Sequence, residues 1–403
     1  MKKKKIVFFD TWVSGLRFVD ILAEILYKDF EIIFLSINKF HDKYLPVDQR
    51  KRNNFVYSKR INNNIYYKKI VDIEEYNYSL IAFFQKEKPD IGLTISIHNL
   101  EQRWFNCACQ MFHVPCVFIM HGIKGNSTDA KLRFNFNFLY LTKRFIFYNL
   151  LFYYFKKEFS LNIQKQQSIF SEWKELMFSH QKYKFHPIDP YNVKYEIGFV
   201  TDNSDIDHFK RTYSTLNTCK FIEIGPMDLL KIENEMNKYS YKKEFVLFIG
   251  QPEGETISNK DYLENLMFFK KYFEKKGVSM KYKPHPLEIR NLRLNKIKLI
   301  GLDILNEDIS ATLSKTTLVI GYFSTLLLTC IKLNYPVVSL ILKGVPHPKS
   351  FLNKPNSFVY NNINEFKNNF DYYTVVNRFG YKGDKDGLLS DLLIKELKNI
   401  PLK

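Results

Sequence analysis

Short runs of β-branched and aromatic residues alternate along this chain with longer helical stretches, and the rhythm starts twice. Neighbouring parallel strands can be joined only by a crossover long enough to hold a helix, so such alternation points to parallel sheets covered on both faces. The first series predicts strands at Lys5–Phe9, Glu31–Ser36, Ile65–Lys69, Ile91–Ser96, Cys116–Met120, Tyr195–Val200 and Phe221–Ile224, with helices such as Leu16–Tyr27 and Tyr78–Glu87 between them. The charged stretch Lys231–Lys243 reads as a connection. Beyond it the second series predicts strands at Phe245–Ile249, Met280–Lys283, Lys298–Gly301, Leu318–Ile320 and Val337–Leu342, with helices at Asp261–Lys275 and Thr325–Leu333. A last helix falls within Asp386–Lys398, where Leu389, Leu392, Leu393 and Leu397 recur at helical spacing. At 403 residues the chain suits two domains better than one. The expectation is an α/β protein of two Rossmann-like lobes facing a central cleft, residues 1–235 and 236–385, with 386–403 as a closing C-terminal helix.

Composition narrows the class. Apolar residues make up 45%, with 37 Phe and 26 Tyr, enough for two cores. The formal charge of +18 suits a polyanionic partner or an acidic membrane face, unless it reflects only a Lys-rich proteome. The basic start Met1–Lys5 runs into an apolar stretch too short for a secretory signal. No apolar run approaches the roughly 18–20 residues that cross a bilayer. Five cysteines, odd in number and set among apolar neighbours, fit a reducing cytoplasm. No nucleic-acid motif accompanies the charge.

The segment 134–159 breaks the alternation. It is crowded with aromatics, from Phe134 to Phe159, and Lys143, Arg144, Lys156 and Lys157 interrupt them. It reads either as a basic helix lying on an anionic inner-membrane surface or as a buried helix capping the first sheet.

Chemistry concentrates at predicted strand ends. Tyr282-Lys283-Pro284-His285-Pro286-Leu287 closes a strand, and Lys283 and His285 at i and i+2 share one face. An ammonium and an imidazole there can stabilise and protonate a departing phosphate oxygen. Gly321-Tyr322-Phe323-Ser324-Thr325 turns a strand into a helix, so Ser324 and Thr325 offer hydroxyls and unpaired backbone N–H groups to an anion. Gly250 and Gln251 open a loop whose Glu253 and Glu255 can accept a proton or bind a sugar hydroxyl. In the first series His121 (before Gly122) and Asp10 (before Ser14-Gly15) stand at equivalent edges. His121, Asp10 and Glu253 are the candidates for general base. Two further patterns carry less. Cys107, Cys109, His113 and Cys116 lack the paired spacing of a zinc site, and Asp205-Ile206-Asp207 stands in a polar loop without support, so no metal is assigned.

Lys283-Pro284-His285-Pro286, followed by Gly321-x-x-Ser324-Thr325 and a helix running to Pro336-Val337-Val338, resembles the donor half of bacterial GT-B glycosyltransferases. The resemblance is to sialyltransferases and polysialyltransferases, with their His-Pro and Ser-Ser/Thr motifs, and Phe248-Ile249-Gly250-Gln251-Pro252 looks like the opening of their second lobe. CDP-glycerol glycerophosphotransferases and capsule Kdo transferases share similar motifs. The resemblance implies a CMP-linked donor whose phosphate is held by His285, Ser324 and Thr325, and no further cofactor. Their acidic base motif survives only as Pro252-Glu253-Gly254. The expected activity is inverting, metal-independent transfer of a sialic-acid-like sugar to a capsule or lipooligosaccharide acceptor by a cytoplasmic enzyme peripheral to the inner membrane. The alternatives are CDP-polyol phosphate transfer, Kdo transfer, and a non-catalytic basic protein that binds glycan or lipid.

Overall fold

The structure is a computed structural model that describes residues 2–9, 16–37, 64–95, 97, 100–120, 146, 149–150, 153–154, 193–212, 214–251, 258–285, 288, 292–322, 324–342, 348–352, 354–381 and 389–401. They form two compact units. The first holds the described residues up to Ile224 together with Ser390 onward, and the second is built from Gly225–Leu389.

The first unit carries seven strands: β1 (Lys5–Phe9), β2 (Glu31–Ser36), β3 (Lys69–Asp72), β4 (Ile91–Thr94), β5 (Cys116–Ile119), β6 (Ile197–Val200) and β7 (Lys220–Glu223). Their order is β3-β2-β1-β4-β5-β6-β7. The second carries β8 (Phe245–Ile249), β9 (Ser279–Lys283), β10 (Asp303–Ile304), β11 (Thr316–Gly321), β12 (Val337–Leu340) and β13 (Ser357–Tyr360), ordered β10-β9-β8-β11-β12-β13. Neighbouring strands pair in parallel throughout. Strands such as β8 and β11 are buried along their whole length, as helices on both faces of a parallel sheet require. In both sheets the order reverses beside the first strand, between β1 and β4 and between β8 and β11. Ligands of doubly wound sheets bind outside the carboxyl ends at that reversal.

The structure corrects several expectations. Lys231–Lys243 is no simple connection, because Met227–Met236 is a helix whose Leu229, Ile232 and Met236 enter the second core. The chain passes between units at Ile224 and Gly225, the latter at φ +74°. Lys298–Gly301 is no strand. Leu292–Leu299 is helical because Leu294 and Ile297, three apart, face the core, and Gly301 at φ +72° follows it in the left-handed conformation that ends helices. The strand expected at Ile65–Lys69 begins at Lys69, since Ile65 lies exposed in a 3-10 turn.

The last helix, Leu389–Lys398, buries Leu393 and Leu397. It returns to the first unit, where Lys398 pairs with Asp29 and Glu396 with Lys220, both at 2.5 Å. The Lys4 ammonium donates to the carbonyls of Lys398 and Ile400 at 2.6 and 2.7 Å.

Of the aromatic segment, Leu150 and Tyr154 pack against the first core and the Tyr154 ring lies 5.0 Å from Tyr78, while Tyr153 is exposed. Most of 134–159 lies outside the described residues. Cys107, Cys109 and Cys116 are buried as small hydrophobes in the first core. Cys109 packs so tightly on β4 that a Cβ on Gly92 would stand 2.5 Å from its sulfur.

Candidate active site

The two strand-end sequences flank one strand. Ile249 of β8 pairs with Lys283 of β9, and Phe248 pairs with Ile320 of β11. The turns after β9 and β11 therefore leave the sheet at the same edge, about two strand spacings or roughly 10 Å apart. Between them lies Gly250, whose N–H donates to the Lys283 carbonyl at 2.8 Å. Gln251, next to it, is buried.

The Lys-Pro-His turn rests on a buried polar platform. The backbone N–H of His285 donates to Glu288 Oε2 at 2.7 Å, and the Glu288 N–H donates back to the His285 carbonyl at 2.8 Å. Glu288 is fully buried. Its two carboxylate oxygens also accept from the Tyr282 hydroxyl, each at 2.9 Å. Burial pushes the Tyr282 phenol far above its ordinary range, which keeps that proton in place. With the Tyr282 proton committed to the carboxylate, Tyr262 is the donor in the 2.8 Å contact between the two hydroxyls. Gly250 is required by this packing. A Cβ there would stand 2.1 Å from Glu288 Oε2, 2.5 Å from the Tyr282 hydroxyl and 2.9 Å from the His285 nitrogen.

Lys283 ends β9 half-buried, and its ammonium donates to the Glu307 carbonyl. Burial lowers its pKa, against the opposing pull of Asp308 and Glu307.

The second turn is held separately. Ser324 caps the helix Thr325–Lys332 from an extended backbone, its Oγ accepting from the Leu326 N–H at 3.2 Å. Such a cap is worth about 1 kcal/mol and leaves the hydroxyl proton to be donated elsewhere. Thr325 is the first helical residue, with its N–H at the positive end of the helix. Upstream, the Ser339 hydroxyl donates to the Tyr322 carbonyl, and Asn265 Nδ2 donates to the Tyr322 hydroxyl at 2.7 Å. The Tyr262 ring lies 5.6 Å from Tyr322 and packs with it against Phe248. Tyr262 thus touches the supports of both turns.

Of the residues singled out in the sequence, Gly250, Gln251, Lys283, His285, Ser324 and Thr325 occupy this one edge. Asp10, His121, Glu253, Glu255 and Pro286 lie outside the described residues. Sequence reasoning overlooked Glu288, Tyr262 and the support role of Tyr282. The signal available was an acid three residues past a histidine in a short turn, the spacing at which a side chain reaches back to a turn's backbone.

The sequence profile of the alpha-2,8-polysialyltransferase family matches residues 140–342, half of the chain. The chain belongs to the alpha-2,8-polysialyltransferase family. It is a glycosyltransferase, taking an activated sugar donor and a glycan acceptor. This excludes the non-catalytic reading. A comparison with curated proteins finds no match. Among solved structures, MurG of Acinetobacter baumannii is similar at 10% identity and TM-score 0.51, over 98% of this chain and 100% of that one. UDP-GlcNAc 2-epimerase from Neisseria meningitidis bound to UDP-GlcNAc is similar at 12% and 0.51, over 98% and 100%. Another UDP-N-acetylglucosamine 2-epimerase is similar at 11% and 0.52, over 98% and 96%. What this polysialyltransferase-family chain shares with them is the GT-B fold, which hosts both transfer and epimerisation and so does not choose the chemistry.

Proposed function

We propose that the chain transfers a sialic-acid-like sugar from a CMP-linked donor to a bacterial surface glycan, of capsule or lipooligosaccharide type, with inversion. One observation carries the reading: in a chain of this family, the Lys-Pro-His and Ser-Thr turns flank the β8/β11 reversal at one carboxyl edge. The acceptor oxygen attacks the anomeric carbon as the bond from that carbon to the phosphate oxygen breaks, and the electron pair leaves with CMP. His285 donates to the departing phosphate, and the Ser324 hydroxyl and Thr325 N–H hold its other oxygens. Lys283, tied to Glu307, adds positive charge to the rim beside it. The acceptor proton goes to one of His121, Asp10 or Glu253. A leaving group with a single phosphate can depart on these donors without a bridging divalent ion. The proposal includes a contact between the basic segment 134–159 and an anionic inner-membrane surface. Among the described residues no helix is long and apolar enough to cross a membrane.

A thermal-shift series with CMP, CDP, UDP and GDP tests the donor. Cytidine nucleotides should raise the melting temperature selectively, and a preference for UDP or GDP overturns the reading. His285→Ala should lower transfer by about 100-fold or more while melting as the wild type does.

A further inference from the structure

We propose that Glu288 is the positioning residue of the phosphate-binding turn, an inference that rests on the reading of His285 just given. A fully buried carboxylate is costly unless its oxygens are matched by donors. Those of Glu288 receive the backbone N–H of His285 and the Tyr282 hydroxyl, which is itself backed by Tyr262. The side chain reaches back along its own turn, so that His285 is gripped at its N–H and, through the Glu288 N–H, at its carbonyl. Both backbone bonds of the residue that carries the imidazole thus end on one side chain and its own amide. Gly250 leaves the space this requires. The bonds act on the main chain at Cα of His285, which sets the direction in which the imidazole leaves the edge. A side chain that only filled the core at this point would need no polar atoms, whereas both oxygens of Glu288 are engaged.

The chemistry separates two substitutions. Glu288→Leu removes the acceptor for the His285 N–H. Glu288→Gln keeps it, because the amide oxygen can take the N–H while the amide nitrogen donates to Tyr282, reversing the tyrosine pair. CMP affinity, measured by calorimetry on the full chain, should fall about tenfold in Glu288→Leu and by less than about threefold in Glu288→Gln. In a His285→Ala background Glu288→Leu should cost nothing further, since nothing remains to be aimed. The imidazole NMR signal of His285, identified by its loss in His285→Ala, should move in Glu288→Leu without any nucleotide. An equal loss of affinity with and without His285, or an unmoved His285 signal, overturns the proposal. If Glu288→Leu does not fold, Tyr282→Phe replaces it, with an expected loss of about threefold that again vanishes in the His285→Ala background. A loss that persists there overturns it too. Should His285→Ala alone leave CMP affinity unchanged, the phosphate reading fails, and the NMR signal still decides the positioning separately.

Discussion

Two buried glutamates, each bonded to a tyrosine, stand at opposite ends of their sheets. Glu87 ends the helix Leu80–Glu87 and meets Lys69, the first residue of β3, at the amino edge of the first sheet. It accepts from Lys69 and, at 2.6 Å, from the Tyr76 hydroxyl. Glu288 stands beyond the end of β9, at the carboxyl edge of the second sheet, and its bonds go to a phenol and a main-chain N–H. The first cluster ties a helix to a strand through a charge pair. The second holds a turn at the edge where doubly wound folds take their ligands. The same residue types do different work because of the end of the sheet at which they lie.

The largest expected effect comes from filling the space beneath the second cluster. Gly250→Ala places a methyl 2.1 Å from Glu288 Oε2, so it should lower stability by roughly 1–3 kcal/mol and transfer by far more than the loss of stability explains. Wild-type transfer in this variant would break the comparison. Lys69→Met should cost only about 0.5–1 kcal/mol, because the pair is partly exposed, and should leave CMP affinity untouched. A change in affinity would mean that the first cluster reaches the site. The smallest effect is a pH dependence. Burial tends to raise the Glu87 carboxyl, but the hydrogen bonds from Lys69 and Tyr76 outweigh it and leave the pKa below its ordinary value. Its contribution is therefore present above the ordinary carboxylate range and lost as pH falls through the lowered value. Melting temperature should fall more steeply on acidification in the wild type than in Lys69→Met.

Much of this was legible in the sequence where a local pattern decides the structure. β1, β2 and β8 fall where their apolar runs predicted them. The turn at Ser324-Thr325 was visible as a strand-to-helix junction because strand, turn and helix are contiguous there. The His-Pro turn was visible for the same reason. Glu288 was not, since an acid in a turn reads as solvated until Tyr282 and Gly250 are seen to enclose it. Tyr262 and Tyr322, far apart in sequence, gave no sign of meeting. β13, the helix Ile363–Asn369 and the helix Tyr372–Arg378 were missed because their runs are brief and mixed with polar residues, and tertiary packing of Phe366, Val375 and Val376 decides them. At Leu292–Leu299, two core-facing residues outweighed a run that looked β-like.

The return of the last helix to the first unit has a consequence for how the protein is made. Lys4, Asp29 and Lys220 leave the ribosome early, yet their partners beyond Ser390 emerge only after the whole second unit. Multidomain chains generally finish their N-terminal portion first during synthesis. Here a nascent chain arrested before Ser390 would already hold every strand of both sheets, yet its first unit would still lack the helix that Lys4, Asp29 and Lys220 bind.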